Sequence, residues 1–163
     1  MSEQRTAWTH QPTTDGRRRV KHRRGVEQRQ ILATVPLFSE VPSRHVKRLA
    51  DLSSVVEFSD GDEIVREGAA GSVFYVISDG EAKVVRGNRT IAKLKTGDHF
   101  GELSILAGTP RMASVIATST PTRCITLSAK ALRTVLSDEP RIALRVLENV
   151  AKRLLDAERP PAG

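Results

Sequence analysis

Two residues of opposite charge, Glu102 and Arg111, frame the segment of this 163-residue chain whose composition suits chemistry. From Phe100 to Gly108 the sequence reads Phe-Gly-Glu-Leu-Ser-Ile-Leu-Ala-Gly, which predicts one or two helical turns starting at one glycine and stopping at another. The first turn of a helix presents N–H groups without intrahelical partners, and the helix dipole adds partial positive charge there. That pairing suits an anion, a phosphate above all. Gly101 lets a ligand approach the backbone closely. Arg111 can close on the same anion with charge-assisted hydrogen bonds. Ala113 and Ser114 beside it are small and offer further N–H donors. Glu102 would repel a bare phosphate, so it fits a ligand that also brings hydroxyl donors, as a ribose does. The expected ligand carries a sugar, one phosphate charge and an apolar base. Taken singly, Glu102 reads as a carboxylate that steadies a short helix and Arg111 as an exposed loop arginine. The ligand reading rests on the two together.

The flanking elements must hold this segment in place. Residues 25–52 form a helical lead, with Val26, Ile31, Leu32, Val35, Leu37 and Phe38 apolar and Pro36 interrupting. A second helix follows Pro42, with Ser43 as its expected N-cap and Val46, Leu49, Ala50 and Leu52 at helical spacing. Residues 54–128 switch to period two, with strands expected at 54–58, 63–66, 72–78, 81–86, 89–94, 113–117 and 122–127. Turns such as Asp79-Gly80 and Gly97-Asp98 separate them. After Ser128, a candidate cap, helices are expected at about 129–138 and 140–158, the second opening on Pro140. In that last helix Arg141, Arg145, Glu148, Lys152, Asp156 and Arg159 form one narrow polar stripe, while Ile142, Leu144, Val146, Leu147, Val150, Leu154 and Leu155 occupy most of the rest. The apolar arc is wider than one packed surface needs, which predicts two contacts. The expected fold class is α+β: an antiparallel, jelly-roll-like β-roll of about eight strands, with N-terminal helices, an embedded short helix and two C-terminal helices.

The run Phe100-Gly101-Glu102-Leu103-Ser104-Ile105-Leu106, followed by Pro110-Arg111-Met112-Ala113-Ser114-Val115, resembles the phosphate-binding cassette of cyclic nucleotide-binding domains. The resemblance extends from about Leu37 to the last helix, and Gly61–Gly68 and Phe74–Gly80 resemble that family's roll strands. It implies that Glu102 binds a ribose 2′-hydroxyl and Arg111 a cyclic phosphate. Backbone groups around Gly101, Leu103, Met112 and Ala113 would complete the cradle. Cyclic GMP-selective members of the family place a threonine after the cassette arginine. Met112 supplies no hydroxyl there, which favours cyclic AMP over cyclic GMP. The implied function is a regulatory sensor that binds without turnover and signals by movement of its last helix to an effector protein. Leu147, Val150 and Leu154 are the expected lid over the base, or else part of a homodimer seam along that helix. Many bacterial relatives carry a DNA-binding helix-turn-helix after this helix. The chain ends at Gly163 without one, so the expectation is a stand-alone sensor or a piece of a larger protein.

Composition frames the alternatives. Apolar residues at 39% and charged residues at 28% fit a folded domain, while the net charge of +7 suggests a nucleic-acid partner. Residues 1–24, with the cluster Arg17–Arg24, carry +5 of that charge and read as a disordered basic tail ahead of a nearly neutral domain at 25–159. The rival function is therefore an interaction protein with a degenerate roll, whose tail binds nucleic acid or an acidic partner. No apolar run is long enough for a membrane span. Cys124 is the only cysteine, which excludes an internal disulfide and suits a cytoplasmic location. His45 and His99 are far apart, the first expected on an exposed helix face and the second in a turn, so no metal site is expected. Without a nucleophile elbow or an activated Cys124, no enzyme activity is expected either.

Overall fold

The computed structural model describes residues 26–159 and the backbone of Arg18–Arg19. Arg18–Arg19 (β1) pairs with Val56 and Glu57, so this part of the basic segment extends a sheet. The rest of the predicted tail lies outside the described residues.

The helical lead comprises α1 (Val26–Thr34), a 3-10 turn at Pro36–Phe38 and α2 (Ser43–Leu52). Its apolar periodicity is spent inward: Leu32, Val35, Phe38, Val46 and Leu49 are all buried. Ser43 does not cap α2. Pro42 holds the extended cap backbone, its carbonyl accepts from the N–H groups of His45 and Val46, and Ser43 enters the first turn.

The roll contains β2 (Ser54–Phe58), β3 (Glu63–Val65), β4 (Val73–Asp79), β5 (Glu81–Arg86), β6 (Arg89–Lys95), β7 (His99–Phe100), β8 (Ser114–Ala117) and β9 (Thr122–Ser128). They form two antiparallel sheets, ordered β1-β2-β9-β4-β7 and β3-β8-β5-β6. The seven strands expected from alternation are all present, with ends shifted by no more than a residue or so. The eighth, β7, was hidden because two residues cannot show a period. α3 (Glu102–Ala107) interrupts the strands, and α4 (Ala129–Asp138) and α5 (Pro140–Glu158) close the chain. Ser128 caps α4 by accepting from the N–H of Ala131 at 3.1 Å.

Two apolar clusters hold this arrangement. One joins the helices to the five-stranded sheet through Leu32, Phe38, Leu49, Phe74, Leu132 and Ile142. The other fills the roll between the sheets with Phe58, Ile64, Ile77, Val115 and Cys124. Burial pushes the Cys124 thiol up to about 12, so it packs as a small apolar group.

The broad apolar arc of α5 makes one of the two expected contacts. Ile142 and Val146 are buried and Val150 packs on the core, whereas Leu144, Leu147, Leu154 and Leu155 are each more than half exposed. Among the described residues no helix is long and apolar enough to cross a membrane.

Candidate functional site

β7 delivers the chain to the site. Phe100 stacks on Tyr75 with ring centroids 4.9 Å apart, and His99 packs against Phe74. Gly101 then turns the chain at φ +95° and caps α3. A Cβ at this position would lie 2.7 Å from the Val73 carbonyl oxygen and 2.9 Å from Nη1 of Arg111. Glycine is therefore required for conformation and for closeness at once. Arg133 of α4 donates to the Ile105 carbonyl at 2.6 Å and so supports the far end of α3.

The backbone of Arg111 is pinned on both sides. Its N–H donates to the Ala69 carbonyl and its carbonyl accepts from the N–H of Gly68, each at 2.8 Å. The guanidinium is almost fully buried. Nη1 donates to the Gly101 carbonyl at 3.0 Å and the Ser104 hydroxyl at 2.8 Å, and Nη2 donates to the Val73 carbonyl at 2.7 Å. Burial pulls its pKa below the ordinary arginine value, opposed by Tyr75 and Glu102. All three acceptors are neutral, so the positive charge is oriented without being neutralised by them. They take three of the five guanidinium donors, and the two others can meet an anion.

Glu102 is completely buried. Oε1 accepts from Nη1 of Arg153 on α5, and Nη2 of the same arginine donates to the His99 carbonyl at 2.7 Å. Oε2 lies 3.5 Å from Nδ1 of His99 and has no hydrogen-bond partner. A buried carboxylate oxygen with an unused acceptor is costly unless something donates to it. A ligand hydroxyl would supply that donor. Burial alone raises the Glu102 pKa, but the neighbouring His99 and the positive charge of Arg153 outweigh it, and the net shift is downward.

The sign of that shift makes a prediction. A folded-state pKa below the unfolded value gives stability that is present above pH 4.5 and is lost as pH falls through the folded value. Urea midpoints measured from pH 6 to pH 3 are expected to fall more steeply for the wild type than for Glu102→Gln. Parallel curves would show that Glu102 does not contribute.

Gly101, Glu102 and Leu103 lie at the start of α3, Arg111, Met112 and Ala113 lead into β8, which Ser114 opens, and Arg111 joins the two parts by its hydrogen bond to the Gly101 carbonyl. Met112 is exposed and its carbonyl accepts from Nε of Arg86. The Ser114 hydroxyl accepts from the N–H of Glu67 at 2.9 Å. Of the three candidate lid residues, Val150 packs on the core while Leu147 and Leu154 face outward. His99 is not in a turn: it is buried on β7 against Glu102, because it alternates with Phe100 on a strand too short to recognise. His45 is not on an open face either, since Nε2 lies 3.3 Å from the buried Glu139. Among the described residues no group of three or more His, Cys, Asp or Glu side chains could hold a metal.

Sequence reasoning does not single out Ser104, Arg153 or Gly71, where an added Cβ would lie 2.9 Å from Nε of Arg111. Arg153 had a signal: it stands seven residues after the buried Val146 and eleven after the buried Ile142, in helical register with both, although it is itself exposed.

Comparison with known proteins gives a match to the family described as cyclic nucleotide-binding domain, over residues 55–139. A cGMP-dependent protein kinase of Toxoplasma gondii is 34% identical over 128 residues, covering 78% of this chain and 13% of that protein. A cAMP-dependent protein kinase regulatory subunit of Hypocrea atroviridis is 39% identical over 89 residues, covering 55% of this chain and 19% of that one. The chain thus spans less than a fifth of the length of either. The solved regulatory domain of Toxoplasma gondii PKA with cAMP superposes at a TM-score of 0.71 with 27% identity, covering 80% of this chain and 50% of that one.

Proposed function

The chain belongs to the cyclic nucleotide-binding domain family, and from that premise we propose that it is a cyclic nucleotide sensor that prefers cyclic AMP, binds without turnover and signals through α5. The observation that carries this reading is the pairing of two unmet needs in one cassette. Arg111 is a buried cation held by neutral acceptors, and Glu102 Oε2 is a buried acceptor whose facing donor, His99 Nδ1, stands off at 3.5 Å. A ribose cyclic phosphate answers both, its phosphate at Arg111 and its 2′-hydroxyl at Glu102. Backbone groups around Gly101, Leu103, Met112, Ala113 and Ser114 complete the cradle.

Preference for cyclic AMP is supported by Met112, which has no hydroxyl to offer a guanine, and by the cAMP in the similar Toxoplasma gondii structure. The exposed leucines of α5 suit either a lid over the base, with Leu147 and Leu154 swinging in beside Val150, or the seam of a homodimer. Likeness to kinase regulatory subunits makes an effector protein the natural partner, and a cytoplasmic setting fits the single buried thiol.

Competition of cyclic AMP and cyclic GMP against one fluorescent cyclic nucleotide tests the reading. Cyclic AMP is expected to displace the probe at the lower concentration. Stronger displacement by cyclic GMP would overturn the base preference, and no probe binding at all would overturn the sensor.

A further inference from the structure

His99 is 6% exposed and Glu102 0%, and each carries a buried polar atom without a hydrogen-bond partner among the described residues. These atoms, Nδ1 of His99 and Oε2 of Glu102, face each other at 3.5 Å, beyond the usual nitrogen–oxygen hydrogen bond of about 2.7–3.2 Å. The imidazole is fixed from three sides. β7 pairs with β4 through His99 and Val76, the ring packs 5.5 Å from the Phe74 ring, and the His99 carbonyl accepts from Arg153. Glu102 is held at its other oxygen, Oε1, by the same arginine. What remains free is the swing of Oε2 about that attachment. The partner facing Oε2 decides which imidazole nitrogen carries a proton. A bare Nδ1 would turn its lone pair on a carboxylate oxygen and leave both buried atoms unserved, whereas a protonated Nδ1 turns a donor on it. One donor leaves the second lone pair of Oε2 open, so the imidazole and a ligand hydroxyl can be accepted together.

We propose that His99 is a positioning residue of the site: held with its proton on Nδ1, it aims Oε2 of Glu102 at the ligand's 2′-hydroxyl and so sets how strongly that hydroxyl is recognised. The proposal rests on the cyclic nucleotide reading of this site and adds a residue that determines its specificity. The other charged groups around the carboxylate are Arg153 from α5, which serves Oε1, and Arg111 ahead of β8, which Tyr75 of β4 also faces. Arg111 spends its bonds on the Gly101 and Val73 carbonyls and the Ser104 hydroxyl, so Oε2 is left to His99. Burial raises the Glu102 pKa, and His99 leads the groups that bring it down again, ahead of Arg153. The competing interpretation is a histidine that only packs its ring on Phe74.

The two separate in calorimetric titrations of cyclic AMP and 2′-deoxy cyclic AMP into the full chain and two variants. His99→Phe keeps a ring against Phe74 and removes the donor. His99→Asn removes the ring and restores an N–H near the Nδ1 position. The wild type is expected to prefer cyclic AMP to the 2′-deoxy ligand, His99→Phe to lose at least about fivefold of that preference, and His99→Asn to recover most of it. Neither replacement titrates, so the pH at which the preference disappears reports Glu102. Without the donor its pKa rises, and the preference is expected to vanish at a higher pH in His99→Phe than in His99→Asn. Nitrogen NMR of the wild type, labelled with 15N histidine, is expected to show His99 protonated at Nδ1, and this readout does not depend on either variant folding. A wild type indifferent to the hydroxyl, an unchanged preference in His99→Phe, an equal fall in affinity for both ligands or a bare Nδ1 overturns the positioning role. Cyclic AMP binding by the wild type in any of those results leaves the sensor reading standing, and its absence overturns both.

Discussion

Replacing Arg111 with alanine is expected to lower affinity for cyclic AMP by roughly ten- to a hundred-fold. The magnitude follows from losing charge-assisted hydrogen bonds worth about 1.5–3 kcal/mol to a phosphate. The native side chain is already fixed by the Gly101 and Val73 carbonyls and the Ser104 hydroxyl, so little orientation remains to be imposed when an anion arrives. The same substitution strips three acceptors of their donor, and some loss of stability accompanies it. Arg111→Lys separates the two effects. It retains the charge, yet one ammonium cannot serve three diverging acceptors and an anion together, so affinity is still expected to fall. Wild-type affinity in the lysine variant would mean that charge alone is recognised and the fixed guanidinium is irrelevant.

Gly101→Ala is expected to cost clearly more stability than Gly61→Ala, a glycine of similar φ in open space. Backbone strain at φ +95° costs about 1–3 kcal/mol for a residue with a side chain. The new methyl would in addition press on the Val73 carbonyl oxygen at 2.7 Å, a backbone atom of β4 that cannot move alone, and on the Arg111 guanidinium at 2.9 Å. Gly61→Ala is the comparison, because φ there is +87° but nothing lies within 4 Å of the added atom. Thermal unfolding is expected to show a clearly larger drop in midpoint for Gly101→Ala, at roughly 2–4 °C per kcal/mol. Equal drops at the two positions would show strain only and remove the close approach from the account. Ligand affinity is expected to fall with Gly101→Ala as well, since the guanidinium must shift.

Much of this architecture is legible in residue order because its signals are local. The alternation in Val73–Asp79 and Thr122–Ser128 and the glycines at both ends of α3 are properties of neighbouring residues, and the elements they announce are present. The cassette was legible for the same reason: Gly101, Glu102 and Arg111 lie within eleven residues. What escaped is what the chain brings together over distance. Arg153 meets Glu102 across 51 positions, and Val73 meets Arg111 across 38. Such contacts depend on how α5 and β4 pack, which no local pattern encodes. His99 was misread because a two-residue strand carries no period, and Ser43 because a proline ahead of it already provides the cap backbone. The positive net charge, which first suggests nucleic acid, belongs mostly to residues 1–24.

The central claim is that this cassette binds a cyclic nucleotide through Glu102 and Arg111. Calorimetric titration of cyclic AMP into the full chain, beside the Arg111→Ala variant, tests it most directly. The account predicts saturable binding of one equivalent per chain by the wild type and the ten- to hundred-fold weaker binding argued above for the variant. No heat of binding from cyclic AMP or cyclic GMP at millimolar concentration, or equal affinity in the two proteins, would contradict it.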